Sequence, residues 1–307
     1  VYLLKVNWID GIHKRFEWYP NGGGGGEISE YILSNISFVN KAPFCIEFGH
    51  SFGTKPGQGW WRHLNISNSI HKGWDFFVLG RNMVPIPDIN NMEEPWAACP
   101  SPWWRDQGYE KCGRGGFHNE LLTSENICDI FKKYNSPEEP EWVSIDVDSI
   151  ELWLMKSMLK KYRPLLIQVE ANCWVEGEGH YFKHSITQQD GPYIPWERYK
   201  DRCGGASLRA LDTVTDGYTL VHASIGGDAH FVRNDRIKGL KHPRIEDPST
   251  IFPPKFLEYL NSESSGFRKR AQSFRYDTMI DYYEYLSSGG DIDKSRAKAR
   301  PICEKYL

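Results

Sequence analysis

Trp142-Val143-Ser144-Ile145-Asp146-Val147, then Ile150 to Tyr162, then Leu165-Leu166-Ile167-Gln168-Val169-Glu170 carry the pattern that decides the fold. The first and last are short apolar runs that end on acidic residues, the signature of strands buried on both faces. The middle stretch has the spacing of an amphipathic helix and stops before Pro164, which disfavours helical backbone in the residue preceding it. A strand, a helix and a strand at this spacing predict a right-handed parallel crossover.

The same grammar extends in both directions. Phe44-Cys45-Ile46-Glu47-Phe48 ends on Gly49, and Asp75-Phe76-Phe77-Val78-Leu79 ends on Gly80; both read as buried strands. Glu125 to Tyr134 reads as a helix with Ser124 as N-cap and Ile127, Ile130 and Phe131 on one face. Ser207 to Thr213 reads as a helix, and Tyr218 to His222 with His230 to Arg233 as two strands close enough to pair antiparallel. The expectation is an α/β chain of Rossmann-like architecture, with a mostly parallel sheet and an antiparallel edge, over residues 41–237. The glycine run Gly22 to Gly26 costs too much backbone entropy for the interior of an element, so residues 1–40 are expected to form an N-terminal arm. Residues 238–307, with helical spacing in Tyr282, Tyr283 and Leu286, are expected to form a C-terminal helical extension.

Composition narrows the function classes. A formal charge of −3 provides no global field for nucleic acid or an anionic membrane, and the short basic run Arg268-Lys269-Arg270 reads as a solvated helix face. No apolar run approaches the ~18 residues of a membrane-spanning helix. The first residues, Val1 to Lys5, lack a full signal-peptide layout. The seven cysteines show no metal-ligand spacing. Cys99 and Cys112 bracket a Pro/Trp-rich segment that a disulfide would close, and Asn35-Ile36-Ser37 and Asn65-Ile66-Ser67 are glycosylation sequons. Both features lean towards a secretory or extracellular setting.

Ligands of open α/β sheets bind outside the carboxyl ends of the strands, which selects four places. Glu47 to Gly53 sets an acid at a strand end ahead of Gly49 and Gly53, where backbone can approach a cofactor closely, with His50 between them. Gly80-Arg81-Asn82 stands where a nucleotide-binding domain usually places a carboxylate on the ribose, and carries none. Asp146 and Asp148 follow one strand; Glu170 and Asn172 end its neighbour. Asp146, Asp148 and Asn172 could ligate a hard divalent cation through oxygen, and Asp146, Asp148 or Glu170 could take a proton from a substrate hydroxyl. Such residues also cap helices and tie loops.

The order Phe44-Cys45-Ile46-Glu47-Phe48-Gly49, His63-Leu64-Asn65, Lys72-Gly73-Trp74, Ser144-Ile145-Asp146-Val147-Asp148 with Trp153 and Lys156, Tyr162-Arg163-Pro164 and Val169-Glu170-Ala171-Asn172 resembles the FkbM-like methyltransferase-domain family. Gly205-Ala206-Ser207-Leu208 and Phe231-Val232-Arg233 extend the resemblance, which spans residues 43–237. It implies a seven-stranded methyltransferase sheet, S-adenosylmethionine held between the loop after the first strand, with Glu47, Gly49 and Gly53, and the loop at Gly80 after the second, and O-methyl transfer to a carbohydrate-like or small hydroxylated acceptor.

Departures from the family pattern fall on the cofactor side. Phe52 replaces an Asp in the cofactor loop, Thr54 to Arg62 is an extra stretch with two tryptophans, and the ribose acid falls on Gly80. Each lost charge-assisted hydrogen bond to a ribose hydroxyl forfeits about 1.5–3 kcal/mol. Two readings follow. In one the fold is catalytically degenerate and serves, without need of a cofactor, as a structural or binding component of a larger assembly, meeting other protein subunits through Trp60-Trp61, Trp96 to Trp104 and the C-terminal helices. In the other it is an active S-adenosylmethionine-dependent O-methyltransferase.

Overall fold

The computed structural model describes residues 7–15, 25–49, 64–80, 113–147, 150–171, 185–186, 206, 208–223, 228–243, 250 and 280–281. Five parallel strands form its centre: β1 (Phe44–Phe48), β2 (Asp75–Gly80), β3 (Gly115–Asn119), β4 (Trp142–Ile145) and β5 (Leu166–Glu170). With β7 (Tyr218–Ala223) and β8 (Asp228–Arg233) they make a seven-stranded sheet in the order β3-β2-β1-β4-β5-β8-β7. Seven strands agree with the sheet that the family resemblance implies. The antiparallel strand is not at the edge. It is β8, which pairs antiparallel with both β5 and β7, so the edge strand β7 runs with the majority. A short antiparallel pair, β6 (Ser185–Ile186) with β9 (Ile280–Asp281), stands apart from this sheet. Within the expected C-terminal extension, the described residues 238–243 are turn and coil and Ile280–Asp281 is strand β9, whereas Tyr282, Tyr283 and Leu286 lie outside the described residues.

Side-chain alternation divides the sheet into two apolar faces. Ile46, Phe48, Phe77, Val143, Ile145, Ile167, Val169 and Phe231 face α4 (Ile127–Lys133), α5 (Glu151–Met158) and α6 (Leu208–Asp212). Cys45, Phe76, Val78, Trp142, Leu166 and Val232 face α1 (Trp8–Arg15), α2 (Gly25–Ser34) and α3 (Ser67–His71). The N-terminal region is therefore part of the core rather than an appended arm. Trp8, Ile9 and Ile12 of α1 and Ile28, Ile32 and Leu33 of α2 are buried in it.

The glycine run has a steric role at its end. Gly25 and Gly26 open α2, and a Cβ on Gly26 would stand 2.6 Å from the Asn65 carbonyl oxygen, so the helix start packs directly on the backbone of residue 65. Two further expectations change in detail. Helix α5 is buried nearly all round, with Glu151, Leu152, Trp153, Leu154, Met155, Ser157 and Met158 all inside, so it is a core helix and not an amphipathic one. Helix α4 begins at Ile127 with Asn126, not Ser124, in the N-cap position. The Thr123 hydroxyl accepts the Asn126 N–H at 3.2 Å, and the Asn126 side chain accepts the Thr123 N–H at 2.8 Å.

Two glycines in the left-handed region separate backbone strain from crowding. Gly49 has φ +87°, and a Cβ there would lie 1.1 Å from the Asp146 carbonyl oxygen, whereas Gly239 at φ +84° has open space around it. Gly239→Ala is expected to cost about 1–2 kcal/mol in urea unfolding, the conformational penalty alone. Gly49→Ala is expected to exceed about 4 kcal/mol or abolish folding. Equal costs at the two positions would refute the proposed contact between β1 and β4.

Candidate functional site

The strand order reverses direction between β1 and β4, which places the crevice of an open α/β sheet beyond their carboxyl ends. Gly49 and Asp146 meet there. Because Gly49 lacks a side chain, the backbones leaving β1 and β4 come into direct contact, and the Gly49 N–H donates to the Leu79 carbonyl of β2 at 3.0 Å. At the end of β2, Gly80 offers no carboxylate, and its carbonyl accepts the Glu120 N–H at 3.3 Å.

On the other side of the reversal the acids gather. One carboxylate oxygen each from Asp146, Glu151 and Glu170 lie within 4.8 Å of one another. Asp146 follows β4 and is exposed, Glu170 ends β5 and is partly buried, and Glu151 in the first turn of α5 is fully buried. Glu151 is fixed at the tip of β4 because its Oε1 accepts the Val147 N–H at 2.9 Å. A carboxylate in the first turn of a helix is favoured by the amides that point out of that end. Three carboxylates from three elements, with no nitrogen or sulfur donor, form a set suited to a hard divalent cation.

Below these acids a row of polar side chains crosses the sheet on the face covered by α1 and α2. Glu47, Ser144, Gln168, His230 and His222 are register neighbours on β1, β4, β5, β8 and β7, and all are buried. Buried polar groups need partners, and α2 and the segment before α3 supply several. The Ser29 hydroxyl donates to Gln168 Oε1 at 2.8 Å, Asn65 Nδ2 donates to Ser144 Oγ at 3.1 Å, and the Ile66 N–H donates to Glu47 Oε2 at 3.1 Å. Asp228 opens β8 directly opposite Glu170 in the ladder. Desolvation pushes its carboxyl up to about 6.

Of the residues singled out in the sequence, Asp146 and Glu170 come together, and Gly49 lies beside Asp146. Glu47 is committed to the backbone of residues 65 and 66. His50, Gly53, Asp148 and Asn172 lie outside the described residues, as do Phe52, Trp60-Trp61, Trp96 to Trp104, Cys99 and Cys112. The described cysteines, Cys45 and Cys128, are free thiols. Among the described residues no helix is long and apolar enough to cross a membrane. Sequence reasoning missed Glu151 and Asp228. The signal for Glu151 was an acid in the first turn of the helix leaving β4; that for Asp228 was an acid at the start of the strand that returns against β5.

No protein-family model matches the chain, and no curated protein matches it either. Among solved structures it is similar to the MycE methyltransferase from the mycinamycin biosynthetic pathway, seen in complex with Mg, SAH and mycinamycin VI, at 15% identity and a TM-score of 0.37. That likeness covers 76% of this chain and 56% of the other, so the chain spans little more than half the length of that enzyme. The fold rests on the strand order and register, not on this likeness.

Glu47 gives the site a pH signature. Burial outweighs the backbone hydrogen bonds from Ile66 and Asn65, and with the Asp228 charge it pushes the carboxyl from 4.5 up to about 8. The folded state then holds this proton more tightly than the unfolded state does. The resulting stabilisation is complete below the ordinary carboxylate range and is lost as the pH rises through about 8. Asp228 acts in the same sense, but only up to about 6. Urea unfolding of the wild type is expected to show stability falling by roughly 1 kcal/mol per pH unit between about pH 6 and about pH 8. Glu47→Gln, which still accepts the Ile66 N–H, is expected to flatten that slope. An unchanged slope would remove Glu47 as its source.

Proposed function

We propose that the chain is a divergent methyltransferase-fold protein of the FkbM-like kind. Its crevice holds a divalent cation, together with a hydroxylated ligand, on the β4–β5 side and no longer grips S-adenosylmethionine tightly. It acts as a binding component rather than a catalyst. The observation that carries this reading is the asymmetry of the crevice: three carboxylates within 4.8 Å of one another at β4, α5 and β5, against a β2 that ends in Gly80.

The chemistry of the two halves supports it. A hard divalent cation takes oxygen ligands, and three carboxylates in one small volume offer such a set. With the second Glu151 oxygen, Asp146 and Glu170 as ligands, coordination positions remain for water or for the hydroxyls of a ligand. The opposite half has no charged acceptor for a ribose diol at Gly80, and two or three such losses at about 1.5–3 kcal/mol each weaken nucleoside binding by orders of magnitude. The aromatic segments Trp60-Trp61 and Trp96 to Trp104 are the surfaces assigned to other subunits in this reading.

Catalysis of O-methyl transfer is the second reading, favoured by the placement of exposed Asp146 next to Glu170, where a carboxylate could take the proton of an acceptor hydroxyl. Calorimetry separates the two. Titration with Mn2+ is expected to show one saturable site per chain, weakened at least tenfold by Glu170→Gln, while S-adenosylhomocysteine binds only in the millimolar range or not at all. Micromolar binding of S-adenosylhomocysteine would overturn the non-catalytic assignment, and the absence of a Glu170-dependent Mn2+ site would overturn the cation assignment.

A further inference from the structure

Two sequons lie among the described residues, and their surroundings are opposite. Asn35 follows α2 and is exposed, as is Ser37 two residues on. Its Nδ2 donates to the Tyr31 carbonyl at 2.8 Å and to Ser34 Oγ at 3.2 Å, both on the helix end that it caps. Asn65 is partly buried and tied to the sheet. Its Nδ2 donates to Ser144 Oγ on the central strand β4 at 3.1 Å, and its carbonyl oxygen lies against Gly26 at the start of α2. The next residue, Ile66, is fully buried and donates its N–H to Glu47. A sugar on Asn65 would have to be built on a side chain that points at the central strand β4, beside the start of α2.

We propose that Asn35 is an N-glycan acceptor of this chain and that the fold closes Asn65 to the same modification. In the transfer, Asn35 Nδ2 attacks the anomeric carbon of a glycosyl diphosphate donor. A C–N bond forms, the anomeric C–O bond breaks, the diphosphate leaves with the electron pair, and one amide proton passes to a base of the transferase. The second amide proton remains on Nδ2 and keeps the bond to the Tyr31 carbonyl, so the helix end tolerates the product. The neighbourhood also gains from a glycan. Phe38 and Val39, 39% and 43% exposed, are two of the three large apolar side chains left in water among the described residues, and both lie within four residues of Asn35. A hydrophilic cover over that patch lowers its tendency to associate.

The test has two arms. The purified, folded chain is incubated with a soluble sequon-specific N-glycosyltransferase and UDP-glucose, and modified peptides are mapped by mass spectrometry. One hexose is expected on Asn35 and none on Asn65; Ser37→Ala abolishes the modification and Ser67→Ala leaves it intact. In the second arm the chain is directed by an added leader through the secretory pathway of a eukaryotic cell, where transfer can precede folding. There the folded fraction is expected to carry its glycan on Asn35 alone, with any chain modified at Asn65 confined to the aggregated fraction. A sugar on Asn65 in folded protein would overturn the proposal, and so would folded protein whose Asn35 stays bare in either arm.

Discussion

The contact between Gly49 and the Asp146 carbonyl sets the geometry on which the crevice depends. Where two parallel strands diverge at a reversal of strand order, their following loops usually separate and leave a gap. Here a positive φ and the missing Cβ at Gly49 let the tips of β1 and β4 touch. The touch fixes the chain after β4, and with it the start of α5 that carries Glu151. Glu151 in turn accepts the Val147 N–H, so the acid cluster is tied back to the strand that the contact positions. Such a site is built on strand ends and a buried helix, the elements least free to move.

The polar row beneath the acids raises the energetic stakes of this arrangement. A carboxyl, a hydroxyl, an amide and two imidazoles in a buried line across five strands would be expensive without partners, and α2 and the segment before α3 supply those of Gln168, Ser144 and Glu47. The N-terminal helices thus do more than cover apolar surface. They supply Ser29 to Gln168, and through Gly26 they make room for the backbone of residue 65, which the Glu47 carboxyl anchors. Loss of this segment would expose one apolar face of the sheet and orphan its polar row together.

Much of the sheet was legible from sequence because continuous apolar runs ending on glycine or acids have few other readings: β1, β2, β4, β5, β7 and β8 all fall where the runs predicted. The N-terminal helices were obscured by the glycine run, whose exclusion from any element rested on entropy; the close approach of Gly26 to Asn65 is a tertiary fact that local propensity does not contain. The amphipathic reading of α5 failed for a related reason. Periodicity reports a face only when one face is wet, and this helix is enclosed. The position of β8 inside the sheet depends on which neighbour the returning strand chooses, and a hairpin pattern is silent on that. At the site, Asp146 and Glu170 were visible as strand-end acids. Glu151 was hidden because it lies within a helical stretch rather than at a strand end, and only three-dimensional placement shows it turned back onto β4.

The asymmetry between an acid-rich β4–β5 half and a β2 that ends in Gly80 is the core of the functional account, and anomalous scattering addresses it most directly. In crystals of the chain soaked with Mn2+, collected at the manganese edge, the account predicts one strong anomalous peak within coordination distance of Asp146, Glu151 and Glu170, lost in Glu170→Gln. Anomalous density absent from that position, or unaffected by the substitution, would contradict it.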